Sequence, residues 1–196
     1  VYNKLNPAAI NHNVLPQVKL KLSTPNKDNT EVSKTIFMRV SSMHSLLSSW
    51  IKLIDKGTRI CKSISALKLY ECEEHYYPHQ TKSLIESLLE VQDGLKNIVD
   101  GIEILNNQLK ALAKLQPEST PVIFTWSAEQ ISQNVSNIFT SIQKEYALKL
   151  VIIENIAHCR DENLIEVYVS AWEFEVYLNI ESSEYLFAET GLPGIT

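Results

Sequence analysis

The sequence predicts an all-α fold: a long antiparallel, coiled-coil-like helical hairpin and a C-terminal helical unit behind a flexible N-terminal tail. Two apolar ladders carry most of that reading. The first runs Ile36, Val40, Met43, Leu47, Trp50, Ile54, Gly57, Cys61, Ile64, and the second runs Leu84, Leu88, Val91, Leu95, Ile98, Ile102, Leu105, Leu109, Leu112. Spacings alternating between four and three average 3.5, which lays one continuous seam along a helix and obliges it to bury that seam against another. Composition agrees: 44% of the 196 residues are hydrophobic, enough for a proper core, and only 5 are glycine and 7 proline, so tight turns are few.

Residues 1–33 are polar, hold Pro7, Pro16 and Pro25, and carry no seam, so they read as a mostly disordered basic tail. Within them Val18, Leu20 and Leu22 alternate with Lys19 and Lys21, a strand-like pattern of the kind that adds to a partner's sheet edge. The hairpin is expected over residues 34–116. Its first helix starts near Ser33 or Ser41 and ends near Leu69; its second spans about Thr81 to Leu115. The intervening stretch is short enough to make the two helices antiparallel neighbours. Leu46, Leu53, Ile60 and Leu67 recur every seven residues beside the first seam and widen it. Three apolar positions per heptad suit a helix with two neighbours, and this flank is read as a partner-binding surface. Gly57 interrupts the seam at a cost of about 1 kcal/mol of helix propensity, which points to a close helix crossing there, or to a kink.

The C-terminal unit is expected over residues 117–196. Pro117 and Pro121 bracket a polar loop reaching Phe124 and Trp126. Ser127, three residues ahead of Gln130, has the spacing of a capping box and opens a third helix to about His158. The inward face of that helix reads Ile131, Val135, Ile138, Ile142, Tyr146, Leu150, Ile153, Ala157. Asp161 is the expected N-cap of a fourth helix, whose broad apolar face comprises Leu164, Ile165, Tyr168, Val169, Trp172 and Val176. A last short helix, capped by Ser182 or Ser183, ends at Gly191, where a missing side chain permits a left-handed turn.

Charge narrows the functional classes. Residues 1–34 hold five lysines against Asp28 and Glu31, so they carry +3 of a net −5 and the remainder carries −8. An acidic helical body repels phosphate backbones, so direct nucleic-acid binding is not expected as the main task. The longest apolar run, Leu150 to Ile153, is far short of the roughly 20 residues of a membrane span, and no apolar stretch follows a basic start. A soluble, intracellular protein without membrane partners is the expectation. Cys61, Cys72 and Cys159 are odd in number and lack framework spacing, against a disulfide scaffold.

Chemistry-bearing motifs are sparse. Cys72, His75 and His79, with His158 and Cys159, form the best zinc candidate, yet the usual paired spacings are incomplete and a polar interhelical loop is the preferred reading. A zinc-dependent enzyme would rest on that loop alone. Gly94, Gly101 and Gly191 are isolated, so no phosphate-cradling loop is expected. Glu145 and Lys149, four apart, read as a solvated surface pair. No catalytic residue, cofactor or metal is assigned. Trp50 sits on a seam and reads as core. Trp126, Tyr168 and Trp172 either close the core or anchor a partner, because Trp and Tyr dominate binding hot spots. Thr24-Pro25-Asn26-Lys27 matches the Ser/Thr-Pro-x-Lys pattern of cyclin-dependent kinase substrates, and phosphate on Thr24 would neutralise a local positive patch.

Two stretches resemble a known family. Met43, His44, Leu46, Leu47, Trp50, Leu53, Asp55, Gly57, Ile64, Leu67 and Lys68 resemble the first helix of the cyclin-dependent kinase-interacting protein family, CINP. Phe124-Thr125-Trp126, Lys144-Glu145, Leu148-Lys149, Ala157-His158, Asp161, Leu164, Tyr168, Trp172 and Glu189-Thr190-Gly191 resemble its C-terminal half in order and spacing. Cys159-Arg160 and Glu173 through Val176 depart from that pattern. The resemblance implies a non-catalytic, nuclear adaptor, present also in the cytoplasm; the widened flank of the hairpin leads to the expectation that it pairs with another helical subunit. The resemblance also implies links to cyclin-dependent or Cdc-type kinases, and to a spermatogenesis-associated AAA+ ATPase complex acting in replication, checkpoint signalling and ribosome maturation. The rival expectation is a structural coiled-coil protein of a kinetochore or vesicle tether, closed as a homodimer through the same seams.

Overall fold

The computed structural model describes residues 27–70, 79–116 and 120–195. Five helices account for almost all of them, and the fold is all-α. Helix α1 (Lys27–Tyr70) and helix α2 (His79–Lys114) form the hairpin. A two-stranded ribbon of β1 (Pro121–Ile123) and β2 (Trp126–Ser127) leads into α3 (Ala128–Ile156), and α4 (Glu162–Glu173) and α5 (Ile180–Glu189) complete the chain. Helix α1 begins at Lys27, so residues 27–33, expected in the tail, belong to the first helix. The strand-like pattern at 18–22, Thr24, Cys72 and His75 lie outside the described residues.

Every residue of the first ladder is buried, and the second is buried from Leu88 to Leu109 with Leu84 and Leu112 half-buried at its ends. The two helices run antiparallel: Leu53 lies over Gly94 and Leu46 over Gly101, so one number falls as the other rises. These glycines are notches. A Cβ on Gly94 would sit 2.7 Å from Leu53 Cδ1, and one on Gly101 3.0 Å from Leu46 Cδ1. The flank expected to face a partner is therefore occupied within the chain at Leu46 and Leu53, and Ile60 is buried at 8% exposure. Leu67 is half-buried. Two neighbours for α1 were correctly implied by its wide face, but α2 and α4 supply both.

Helix α3 packs along α2, where Ser136 donates to the buried Asn106 side chain at 2.8 Å. The fourth side of the resulting bundle is filled in pieces. Descending α1 from its C-terminal end, Lys68 donates to Cys159 O (2.6 Å), Lys62 pairs with Glu173 (2.7 Å), and Trp172 donates to Ile54 O (3.1 Å). Trp50 then donates to Glu175 (2.5 Å), and His44 meets Pro193 O (2.9 Å) and the edge of Phe187. Residues 159–193 thus run antiparallel to α1 as one interrupted strut, helical in α4 and α5 and irregular between.

Local signals explain the element ends. Ser127 and Gln130 form the reciprocal capping box at the start of α3, and Asp161 accepts from the amides of Asn163 and Leu164 to cap α4. Gly191, at φ +72°, closes α5 in a Schellman turn: Leu192 N donates to Phe187 O and Gly191 N to Ala188 O. Three expectations are corrected. Part of the loop before α3 is a short hairpin, with Pro121 opposite Ser127 and Ile123 opposite Trp126. Helix α4 stops at Glu173, so Val176 lies beyond it and is exposed; α5 opens at Ile180, ahead of both serines.

Candidate interaction surface

Glu145 and Lys149 are fully buried, their charges 2.6 Å apart, where a solvated pair was expected. All three ammonium donors and both carboxylate oxygens have partners. Lys149 Nζ also donates to Ala171 O and Trp172 O at 2.9 Å, and Glu145 Oε2 accepts from Tyr177 N at 2.7 Å. The ammonium thus sits on the last carbonyls of α4, where the helix dipole is negative, and lies 5.6 Å from the centre of the Trp172 ring. A break in a packed helical run leaves backbone groups unpaired, and this ion pair satisfies those on both sides of it.

The sequence held a signal for this placement. From Ile131 the four-three ladder continues through Val135, Ile138, Ile142, Glu145, Lys149, Ile152 and Ile156, all buried. The charged pair occupies two seam positions, and following the heptad rather than relaxing to 3.6 would have put it inside.

Above this pair, Trp172 lies in the crossing of α4 over α1. Its ring fills the space over Gly57, where a Cβ would overlap Cζ2 and come within 2.6 Å of Nε1. The close crossing expected at Gly57 is therefore present, and Trp172 belongs to the core rather than to an open surface. Cys61 is buried on the same seam; burial pushes its thiol up to about 12, against the opposing pull of the Lys149 charge, so it is not a nucleophile. Glu175 is also raised, chiefly by burial and against the Trp50 hydrogen bond.

Other candidate residues divide by exposure. Trp126 and Tyr168 are half-buried and packed against the core. His79 and His158 are exposed, and no group of three or more metal-ligating side chains occurs among the described residues. A cavity of about 130 Å³ lined by Asn134, Asn137, Ser141 and Asn179 is well below the roughly 300 Å³ of a typical small-molecule site. No helix among the described residues is long and apolar enough to cross a membrane.

Sequence reasoning missed the apolar surface outside the bundle. Leu164, Val167, Phe174, Val176 and Tyr177 are 40–70% exposed along α4 and the break that follows it. Phe124 is 76% exposed at the hairpin tip with φ +42°, beside Thr125, whose amide and hydroxyl both donate to Glu189. That pair of bonds holds the Glu189 carboxyl below its ordinary value.

No protein-family model matches the chain. Whole-chain relatives do. The chain is similar to cyclin-dependent kinase 2-interacting protein of Mus musculus, 28% identical over 203 residues that cover 88% of this chain and 96% of the relative. It is 25% identical to the Bos taurus protein of the same name over 86% of this chain and 92% of the relative. For the Homo sapiens protein the figures are 25%, 86% and 94%.

Proposed function

The chain belongs to the family of cyclin-dependent kinase-interacting proteins, CINP, and from that membership we propose that it is a non-catalytic adaptor that binds a cyclin-dependent or Cdc-type kinase. In this reading it also pairs with another helical subunit and serves an AAA+ ATPase complex of the spermatogenesis-associated type. The setting is nuclear, in replication, genome maintenance and ribosome maturation. The ATPase hydrolyses nucleotide; this chain holds and recruits.

The observation that most supports an adaptor is the apolar surface at Val167, Phe174, Val176 and Tyr177, left outside a core that is already closed. Large apolar side chains left exposed along one short stretch of a closed fold mark an interaction site. The rival coiled-coil homodimer loses support because the chain's own helices cover both ladders.

Tagging the endogenous chain and purifying it from nuclei tests the reading. Co-purification of a cyclin-dependent kinase and of an AAA+ ATPase, each near stoichiometric by quantitative mass spectrometry, is the expected result. A chain recovered alone as a monomer overturns it.

A further inference from the structure

Exposed apolar side chains on the outer side of the hairpin gather at the end where the chain enters it. Leu46 over Gly101 and Leu53 over Gly94 fix the register of α1 on α2. Continued, that register sets Ile104 level with Met43, and Met38 level with Leu109. At about 100° per residue, Met38 lies about 80° round from Leu46, and Ile104 about 60° round from Gly101. Both turn away from the core, which the buried Met43 and Ile98 mark on the other side. Met38 at 48% exposure and Ile104 at 57% therefore border one outer seam between the two helices. Leu115, 76% exposed in the turn that ends α2, closes the seam two heptads beyond Gly101. Arg39 holds the position of Leu46 one heptad earlier, and its Nε is enclosed there without an acceptor. Past Ile104, away from Lys27, the exposed residues of the same seam are polar: Ser45, Ser49 and Lys52 on α1, Asn97, Asp93 and Glu90 on α2. Its apolar part is thus confined to the first 24 Å of α1, about the rise from Lys27 to the level of Met43 at 1.5 Å per residue.

Chain length and charge say what covers it. Residues 1–26 precede α1, and within them Val18, Leu20 and Leu22 alternate with Lys19 and Lys21. Alternation puts the three apolar side chains on one side of an extended segment, about 13 Å from first to last. Leu22 stands five residues before Lys27 and Val18 nine, distances that an extended chain converts to at most about 17 Å and 30 Å. By doubling back through residues 23–26, the segment brings Leu22 to Leu115 and Val18 to Ile104, and its reach ends where the seam turns polar. Residues 1–26 hold three lysines and no carboxylate, +3 of the net −5, so the remaining −8 attracts them. A segment tethered this closely has an effective concentration on the order of millimolar, above that of a separate protein or a second copy.

We infer that residues 18–22 dock on the outer seam of the hairpin, with their apolar side over Met38, Ile104 and Leu115 and their lysines toward solvent. An extended backbone there also brings carbonyl oxygens to the Arg39 guanidinium. The docked segment is withheld from the sheet edges of other proteins, to which its alternation would otherwise add.

Photo-crosslinking of the purified full chain tests this. With p-benzoylphenylalanine in place of Leu20, adducts mapped by mass spectrometry are expected on Met38 and on residues 104–115. They should join residues of a single chain when isotope-labelled and unlabelled chains are mixed. The double substitution Ile104→Ser and Leu115→Ser, at two exposed positions, should lower the yield at Met38 about tenfold while helix content by circular dichroism holds. Adducts between chains, or no preferred adduct at the seam, overturn the inference. So does a yield at Met38 that the double variant leaves intact.

Discussion

Removing the Lys149 ammonium leaves Glu145 charged and buried and leaves Ala171 O and Trp172 O without their donor. Breaking one partner of a buried pair costs about 3–5 kcal/mol, whereas replacing both by apolar groups of similar volume is far milder. Lys149→Met is therefore expected to lower stability by about that amount, and Glu145→Leu with Lys149→Met to lose less than the sum of the single changes. Urea denaturation of the four species closes the cycle. Part of this site was legible: the four-three ladder passes through both residues. The cover was not, because it comes from residues 171–177, whose arrival over α3 no local pattern announces. An i, i+4 charge pair has the same spacing whether water or a helix end lies above it.

At the scale of elements, three glycines separate two kinds of packing. Gly94 and Gly101 each face the methyl ends of a half-buried leucine that can turn aside, and alanine there recovers about 1 kcal/mol of helix propensity to set against the displacement. Gly57 faces the rigid indole of Trp172, which is fully buried and hydrogen-bonded to Ile54 O. Gly57→Ala should destabilise the chain by about 1–3 kcal/mol through overpacking, while Gly94→Ala stays near neutral; thermal melts of the two variants check the contrast. The capping box at Ser127 and the turn at Gly191 could be read from sequence because each is a local arrangement with fixed residue types. The β1–β2 ribbon could not, since two or three residues per strand are too few to display alternation. The end of α4 at Glu173 was equally hidden: neither glycine nor proline stands there, and the helix stops where Lys149 takes its carbonyls.

For the molecule as a whole, the bundle's first three sides follow from the ladders, and the fourth follows from tertiary contacts alone. Many residues that carry the family resemblance lie at that fourth side: His44, Trp50, Gly57 and Lys68 on α1, Glu145 and Lys149 on α3, Trp172 and Glu189 on the strut. Acidity acts on this side in opposite senses. Glu189 has a lowered folded pKa, so its bonds to Thr125 stabilise above the ordinary carboxylate value and are lost as pH falls through the folded one. Glu175 has a raised folded pKa, so its contribution is complete only below the ordinary value of about 4.3 and is lost as pH rises through the folded value. Glu175→Gln, which keeps an acceptor for Trp50, should therefore be more stable than the parent at pH 7. The gap should close below the ordinary carboxylate range, as chemical denaturation at the two pH values would show.

Helix α1 is continuous for 44 residues, from Lys27 to Tyr70, and the strut grips only its later two thirds. It therefore serves as a ruler. Between Lys27 and His44, where the strut makes its last contact, α1 alone sets a distance of about 25 Å, so the start of the helix and the far end of the strut cannot approach each other without breaking it.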